Sequence, residues 1–469
     1  MAVSRSRRCP ELPAVAAGPQ IQQTLASFLG PRLALGRRLC VALSGGRDSV
    51  VLLHALAGLR RLGLAGELSA LHVNHSLSSD ADAWAAFCSD LCQRLQVPLT
   101  TTRVVVPPAS GEGLEAAARR QRHAVFGECP ADWLALAHHR DDQAETVLFR
   151  LLRGAGVDGA AGMRAERPQP AGARLIRPLL DLPRSALAAY AAEHALVWIE
   201  DTSNHDCRYR RNHLRQEVLP RIAEQFPGAD QVLARAARHF AEAALLLDEL
   251  ATIDRANVAT EQGRIDLLRF NALSAGRARN LLRRELLAAG FRAPEARWLD
   301  EAMRQMTSAG AGAETCVETP DGALHVYRGE VHLVGRRPAI PQSSVVWRGE
   351  EELSWGGGRV LLPASVGAGI SRHLLSRAPV CLQARLGGEQ LQPDPRRPRR
   401  ALRKLLQEAA IPPWERARLP LLWCGAQLVW VGGIGADAAF ACGPGEDGIT
   451  PVWERVERRP AGGASRRTG

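Results

Sequence analysis

A short run rich in serine and glycine, SGGRDS at residues 44–49, has the residue types needed to bind a phosphate group. It lies between an apolar run, 39–43, and a periodic apolar segment, 50–59, so it predicts a strand, a turn and a helix. Gly45 and Gly46 permit a tight turn whose backbone N–H groups converge on one anion, and the helix adds its positive N-terminal end. Because Gly-Gly alone is also typical of an ordinary strand-to-helix turn, the phosphate-loop interpretation depends on all six positions.

The loop does not follow the most familiar nucleotide-binding pattern. In a Walker A loop a lysine follows the last glycine, whereas the single lysine of this chain is Lys404. A Walker-type NTPase is therefore disfavoured. Ser44, Asp48 and Ser49 can instead cap the helix or contact a bound nucleotide.

A second group of reactive side chains lies in the segment AHHRDDQAET, residues 137–146. With helical spacing, Asp141 and Asp142 each have a polar partner one turn further on. Carboxylates beside a phosphate site repel a nucleotide unless Mg²⁺ or a cationic substrate lies between them, although acidic residues also commonly cap helix N-termini. His138 and His139 are candidate proton carriers, and they lack the companions that a zinc site needs.

The secondary structure that positions the phosphate loop and the acidic segment is predicted by an alternation of apolar strands and helical segments. Strands are expected at 39–43, 68–73, 99–106 and 133–137, with helical segments between them. Such a pattern predicts an α/β fold with a doubly wound, mostly parallel sheet, in which ligands bind beyond the carboxyl ends of the strands. The phosphate loop, the acidic segment and HVNHSLS at 72–78 each follow a strand, so we expect all three to converge on one crevice.

The length of 469 residues predicts about three domains. We expect a disordered leader at 1–30, a catalytic domain at 31–225 and a helical linker at 226–260. A second domain is expected at 261–337, a connecting segment at 338–375, a third domain at 376–450 and a disordered tail at 451–469. No apolar run approaches the ~18 residues of a membrane span, which predicts a soluble cytoplasmic protein without a membrane partner. Prolines interrupt the leader where a signal peptide would be apolar, and a transit peptide remains the alternative.

The cysteine spacing and the net charge restrict the kinds of metal site and binding partner that the protein can have. The ten cysteines include no C-x-x-C pair, which argues against zinc and iron–sulfur sites and predicts buried thiols in a reducing compartment. A formal charge of +11 favours a polyanionic partner, although a solvated arginine-rich face is the competing interpretation. The candidate nucleic-acid contacts are Arg283, Arg284, Arg399, Arg400, Arg403 and Lys404.

Six motifs occur in the order found in the tRNA(Ile)-lysidine synthetases, a family of N-type ATP pyrophosphatases. They are SGGRDS, HVNHSL (72–77), EAAARR (115–120), 137–156, IRPLL (176–180) and EDTSN (200–204) with RRNHLR (210–215). GGEQLQP (387–393) and IPPWER (411–416) resemble the C-terminal domain of that family. The resemblance implies an adenine nucleotide α-hydrolase-like PP-loop domain followed by two smaller α+β domains. Our hypothesis is that the second domain binds tRNA through its phosphates and the third domain recognises the shape of the tRNA.

The resemblance also implies a reaction. The family uses ATP to adenylate the C2 oxygen of the wobble cytidine in the CAU anticodon of tRNA(Ile), and the ε-amine of free L-lysine then displaces AMP. By this resemblance Ser44, Gly45, Gly46, Asp48 and Ser49 would hold ATP, with Mg²⁺ on Asp48. Arg47 occupies the variable position of the loop, where it is counted as a further ATP contact of open role.

Lysine would be held by a mixed set of charged and polar side chains, since a free amino acid needs both an arginine and a carboxylate. The matching positions are Asp141, Asp142, Arg211 and Asn212. Arg119 would stabilise phosphate charge or position the cytidine. The attacking amine must lose a proton, and a carboxylate or His138 could accept it. Asp48, Arg119, Asp141, Asp142 and His138 therefore form the predicted catalytic set.

Three alternatives remain at this stage. A tRNA thiolase of the same superfamily would need paired cysteines, and a glutamine-fed synthetase would need an amidotransferase nucleophile; neither feature is recognisable in the sequence. An RNA-binding protein with a regulatory ATP site is the non-catalytic alternative. The family resemblance is compatible with a homodimer.

Overall fold

The computed structural model describes residues 17–32, 37–63, 66–76, 78, 80–105, 114–169, 172–201, 208–308, 315–340 and 343–455. The chain divides into two compact units, Met1–Glu249 and Leu250–Gly469, which are described separately. No helix within the described ranges is long and apolar enough to cross a bilayer.

A six-stranded sheet forms the centre of the first unit. Its strands are β1 (Arg38–Ala42), β2 (Glu67–Asn74), β3 (Leu99–Arg103), β4 (Trp133–Ala135), β5 (Glu166–Arg167) and β6 (Arg174–Ile176). They are arranged in the order β3-β2-β1-β4-β6-β5, and every pairing is parallel except that of β5 with β6. This confirms the predicted α/β fold with a mostly parallel sheet.

Helices cover both faces of this sheet. They are α1 (Ala17–Leu29), α2 (Arg47–Arg61), α3 (Ala81–Arg94), α4 (Leu114–Gly127), α5 (Arg140–Leu151), α6 (Val157–Ala160) and α7 (Arg184–Glu193). Alternate residues of β1 face opposite sides, as a strand requires. Leu39 and Val41 pack into a core with α1, α2 and α7, whereas Cys40 packs with Phe126 and Leu134 on the other side.

The prediction of a disordered leader at residues 1–30 is wrong for the part of it that forms a helix. Residues Ala17–Leu29 form helix α1, and its residues Ile21, Leu25 and Leu29 are each at most 1% exposed in the main core. Their spacing of four residues gives one apolar stripe, a pattern that the neighbouring prolines and arginines obscured. Residues 1–16 lie outside the described ranges.

Helical segments follow the sheet domain. They are α8 (Arg210–His213), a π-helical turn (Leu214–Val218), α9 (Leu219–Gln225) and the long helix α10 (Ala229–Val258). In the second unit, α11 (Leu267–Asn271), α12 (Ala275–Ala288) and α13 (Ala296–Ser308) pack on an antiparallel sheet of β7 (Ile265–Asp266), β8 (Thr315–Thr319), β9 (Gly322–Tyr327) and β10 (Glu330–Gly335).

The remainder of the second unit contains short antiparallel strands around separate cores. The strands are β11 (Val345–Trp347), β12 (Glu352–Trp355), β13 (Gly358–Leu361), β14 (Ala364–Val366), β15 (Ile370–Ser371), β16 (Val380–Gln383), β17 (Gln390–Leu391), β18 (Arg400–Ala401), β19 (Leu421–Cys424), β20 (Gln427–Val431), β21 (Gly435–Ala436), β22 (Asp447–Ile449) and β23 (Val452–Glu454). Short helices α14 (Arg372–Leu375), α15 (Leu402–Glu408) and α16 (Pro413–Arg416) lie between them. These elements and those of the preceding paragraph confirm the predicted smaller domains after the sheet domain.

Two expected boundaries need correction here. The segment 338–375 is not a connector, because β11 pairs with β16 and Trp355 and Val360 are buried in the C-terminal core. The tail prediction is wrong for Val452–Glu454, which pairs with β13. Both pairings join residues far apart in sequence, so the local pattern gave no sign of them. Residues 456–469 lie outside the described ranges.

The burial of α1 can be tested with a matched pair of substitutions. Leu25→Ala should lower the free energy of unfolding by about 2–5 kcal/mol, because it leaves a cavity in the core. Gln23→Ala, at an exposed position on the same helix, should change it by less than about 0.5 kcal/mol. Urea denaturation followed by circular dichroism measures both. Equal, small effects would contradict the placement of α1 in the core.

Candidate active site

The sequence order of the strands reverses beside β1. Its neighbours are β2 on one side and β4 on the other, so the connections leave in opposite directions and a crevice opens at the carboxyl ends of β1 and β4. Residues 44–46 follow β1 and residues 138–142 follow β4. The fold therefore brings the phosphate loop and the acidic segment to the same edge of the sheet.

The phosphate loop has a fixed shape. Gly45 has φ +88°, and its carbonyl oxygen accepts a hydrogen bond from the backbone N–H of Ile199 at 2.9 Å. A Cβ at this position would lie 2.6 Å from Ile199 Cδ1, and the positive φ would strain any residue that carries a side chain. Ser49 Oγ donates to the carbonyl oxygen of Gly46 at 2.8 Å and lies 3.1 Å from Ser44 Oγ. Gly46 precedes α2 without a side chain to cap it, which leaves the first amides of the helix available to an anion.

A buried histidine connects this loop to the acidic segment. His139 is 3% exposed, and its Nε2 lies 3.5 Å from Asp48 Oδ2 and 3.4 Å from Asp142 Oδ2. Its Nδ1 lies 3.6 Å from Asp141 Oδ2, an ion-pair rather than a hydrogen-bond distance. Burial alone would lower the pKa of His139, but the three carboxylates outweigh it and raise the pKa to about 9. His139 is therefore an imidazolium at neutral pH.

Asp48 is held ionised by the same contacts. Burial opposes its charge, but His139 and the neighbouring Arg47 lower the pKa of Asp48 to about 2. Arg47 Nη2 lies 2.9 Å from Asp48 Oδ1, so the residue at the variable position of the loop contacts this carboxylate. Asp141 Oδ2 accepts a hydrogen bond from the backbone N–H of Arg184 at 2.9 Å. Despite burial, this bond and His139 lower the pKa of Asp141.

A second ion-pair group lies one helical turn further along α5. Arg215 Nη2 lies 2.8 Å from Glu145 Oε2 and 3.1 Å from Asp142 Oδ1, so Asp142 is shared between His139 and Arg215. Arg211 Nε lies 3.9 Å from Glu145 Oε1. Glu145 is 4% exposed, and its burial raises its pKa in spite of the two arginines.

His138 has the opposite environment to that of His139. Burial, Arg177 and Arg119 lower the pKa of His138 to about 3, so its ring is neutral and a weak base. Its Nδ1 is buried and accepts or donates no hydrogen bond within the described ranges. A proton acceptor with such a low pKa is unsuited to an amine, so this arrangement disfavours His138 as the general base.

The structure thus brings Asp48, Asp141 and Asp142 together and places Arg211 beside their cluster through Glu145. Arg119 acts electrostatically on His138, and Asn212 lies on α8 next to Arg211. Sequence reasoning did not give His139, Glu145 and Arg215 their roles. For Glu145 a signal existed, since it lies one turn after Asp141 on the same helix. Arg215 is 70 residues from Glu145 in the sequence, and only the tertiary fold brings the two side chains together.

The predicted nucleic-acid contacts have different surroundings. Arg399 Nη2 lies 2.9 Å from Asp437 Oδ2, whose residue is fully buried, and Arg400 pairs with Glu408. Arg403 and Lys404 are exposed on α15. The half-buried Arg283 and Arg284 lie on α12. Residues 202–207, which include most of the EDTSN motif, and the side chain of Glu115 lie outside what the structure describes.

The conformation of Gly45 leads to a second test. Gly45→Ala should weaken ATP binding at least tenfold, because the new Cβ meets Ile199 and the backbone has a positive φ. Gly58→Ala, on the same helix α2 and with no atom near the new Cβ, should leave binding unchanged and stabilise the helix by up to about 1 kcal/mol. Equilibrium dialysis with labelled ATP compares the two. Normal ATP affinity in Gly45→Ala would contradict the assigned loop geometry.

The raised pKa of His139 predicts a pH-dependent stability. The charge contributes stability that is fully present below the ordinary histidine pKa of 6.5 and is lost as the pH rises through about 9. His139→Gln should therefore lower the free energy of unfolding more at pH 6 than at pH 10. Urea denaturation of both proteins at the two pH values measures this difference. A difference that does not change with pH would show that the histidine is not charged in the folded state.

Comparison with known proteins covers both units. Family models match residues 17–222 (PP-loop domain), 266–332 (TilS substrate binding domain) and 380–453 (TilS substrate C-terminal domain). A U34-tRNA thiolase from Methanococcus maripaludis is similar at a TM-score of 0.41 and 18% identity, over 48% of this chain and 80% of that chain, which is too low to bear on function.

Two curated relatives match almost end to end. The tRNA(Ile)-lysidine synthase of Aromatoleum aromaticum is 46% identical over 433 residues, which cover 92% of this chain and 100% of that protein. That of Azoarcus sp. strain BH72 is 44% identical over 441 residues, which cover 93% and 95%. Identity of this degree over 92–93% of the chain shows that the chain belongs to the tRNA(Ile)-lysidine synthase family.

Proposed function

We propose that this protein joins free L-lysine to C2 of the wobble cytidine in the CAU anticodon of tRNA(Ile), at the expense of ATP. The cytidine C2 oxygen attacks the α-phosphorus and pyrophosphate leaves; the ε-amine of lysine then attacks C2, loses a proton and displaces AMP. The observation that supports this best is the buried His139, because it joins an anion-binding loop to a carboxylate cluster in one crevice. One substrate is a polyanion and the other carries ammonium groups, and the crevice offers a partner to each.

The phosphate loop is proposed to hold ATP through its backbone. The amides at the start of α2 and the hydroxyls of Ser44 and Ser49 would face the phosphates. Negative charge accumulates on pyrophosphate as it departs, and fixed donors stabilise that charge without reorganising during the reaction. The fixed turn at Gly45 provides this rigidity.

Asp48 is the proposed magnesium ligand. Mg²⁺ prefers hard oxygen donors and needs only one or two carboxylates when substrate phosphates and water complete its shell. Asp48 fits, because it is ionised and its side chain is 33% exposed beside the loop. Within the described ranges no group of three His, Cys, Asp or Glu side chains is arranged as a metal cage, which agrees with an ion that depends on the nucleotide. When bound, Mg²⁺ neutralises charge on the phosphates.

Lysine is proposed to bind on the acidic side of the crevice. Asp141 and Asp142 would attract its ammonium groups, and Arg211 and Asn212 would meet its carboxylate. Burial raises the pKa of Glu145 whereas the pKa of Asp141 is lowered, so Glu145 is the stronger base of these two carboxylates. We therefore infer that Glu145, rather than His138, accepts the proton of the amine.

The second unit is proposed to hold tRNA by its phosphates, which position the substrate without reading sequence. Arg403 and Lys404 are the best-placed residues, since both are exposed. Arg283 and Arg284 are the corresponding candidates on α12. For Arg399 and Arg400 the ion pairs with Asp437 and Glu408 favour a role within the domain.

The proposal is tested by incubating the protein with ATP, Mg²⁺, labelled lysine and two transcripts of tRNA(Ile) that differ only at the wobble base. We expect label in the CAU transcript alone, with AMP and pyrophosphate in equal amounts. ADP and orthophosphate, or binding of RNA without labelling, would favour a protein that only binds RNA under control of ATP.

A matched pair of carboxylate variants locates the reaction in the crevice. Asp48→Asn should lower the rate of lysine incorporation at least a hundredfold, because it removes the charge between the loop and His139. Asp132→Asn serves as the control: this aspartate also contacts arginines and is 29% exposed, but it binds the backbone N–H of Arg38 at the opposite end of β1. Comparable rates in the two variants would refute the assignment of the site.

A further inference from the structure

One residue of the IRPLL motif has no part in the proposed reaction. Arg177 directly follows β6, and β6 pairs in parallel with β4 so that Ile176 is level with Ala135. The carbonyl oxygen of Ile176 accepts a hydrogen bond from the N–H of Leu136 at 2.8 Å. Arg177 therefore lies at the same edge of the sheet as His138 and the phosphate loop.

The side chain of Arg177 is buried, and none of the carboxylates that the structure describes forms an ion pair with it. The residue is 6% exposed, its Nη1 donates to the carbonyl oxygen of Arg164 at 2.7 Å, and its Nε is buried with no hydrogen-bond acceptor among the described residues. Burial and then Arg167, Arg119 and Arg150 lower its pKa to about 10, so it remains charged at neutral pH. A buried charge without an opposite partner is unfavourable, and no carboxylate among the described residues pairs with Arg177.

The surroundings of Arg177 are cationic or neutral. The pKa of His123 is lowered to about 4 by burial and by Arg119, and that of His138 is lowered to about 3 by burial and by Arg177. His138 Nδ1 is a second buried nitrogen for which the described part of the chain provides no hydrogen-bond partner. Arg150 differs, because its Nη1 donates to the carbonyl oxygens of Gly159 and Gly162. Two unsatisfied nitrogens in a positive field therefore lie close to the acidic cluster of His139 without belonging to it.

A phosphoryl group is the ligand that suits this arrangement. A guanidinium binds phosphate oxygens with parallel hydrogen bonds, and a neutral imidazole can donate one more. β6 is separated from β1 by β4, so the site lies roughly 10 Å from the phosphate loop across two strand spacings. One phosphoryl group cannot occupy both sites.

We propose that Arg177 and His138 form a second anion site that binds a phosphoryl group other than the one on the phosphate loop. Its source is either the α-phosphoryl end of ATP or the RNA backbone beside the target nucleotide. This inference rests on the proposed function for the identity of its ligands. The bound phosphoryl group would be a partner for the charge of Arg177, which has no carboxylate partner among the described residues.

The test uses Arg177→Gln in the full-length protein, because a glutamine amide can keep the bond to Arg164 while removing the charge. We expect the melting temperature to be unchanged or higher, since an unpaired buried charge is lost. The Kd for one ligand should rise about tenfold: for ATP, measured without tRNA, if the group is the α-phosphoryl, or for tRNA, measured without ATP, if it is a backbone phosphate. In the second case the salt dependence of tRNA binding should also fall by about one unit of slope.

Arg60→Gln is the control, because Arg60 is a half-buried arginine of the same unit that donates to the backbone carbonyls of Leu95 and Gln96. It should change neither Kd. If Arg177→Gln also leaves both Kd values unchanged, or if it lowers the melting temperature by several degrees, Arg177 has no ligand or a structural role and the inference is overturned. Wild-type protein that binds ATP and tRNA but incorporates no lysine would refute the proposed reaction and leave this binding test valid.

Discussion

The imidazolium of His139 and its three carboxylates control how the crevice is built. Asp48 belongs to α2, whereas Asp141 and Asp142 belong to α5, and without a cation between them these charges would repel one another at the edge of the sheet. Because His139 is 3% exposed, its interactions are screened little by water. The same proton therefore fixes the nucleotide side and the acidic side of the crevice in one arrangement.

Two consecutive histidines separate the charges of the site. His139 lies among carboxylates and is charged, whereas His138 lies among arginines and is neutral. The two rings are surrounded by different charged groups, so one dipeptide contributes to both environments. The acidic side suits ammonium groups and the arginine side suits phosphoryl groups, which matches the two kinds of substrate in the proposed reaction.

The positive charge of the second unit is partly used within the fold. Asp254, Asp437 and Glu415 are buried carboxylates, paired respectively with Arg277, Arg399 and Arg337. Removing one partner of such a pair leaves a buried charge and is strongly destabilising. Each of these pairs adds nothing to the net charge of +11, so exposed residues such as Arg403 and Lys404 are better candidates for RNA contacts than the arginines in these pairs.

The sequence by itself determined the parallel α/β sheet, the phosphate loop and the family, because these depend on local signals: hydrophobic period, the conformational freedom of Gly45 and motifs in a fixed order. Only the tertiary structure decided that His139 rather than His138 carries the charge, that Arg215 forms an ion pair with Glu145, and that Ala17–Leu29 and Val452–Glu454 belong to folded elements. Each of these outcomes depends on burial or on a partner distant in the chain, and the pKa of a side chain is set by the charges and solvent around it. A one-dimensional pattern does not contain that information.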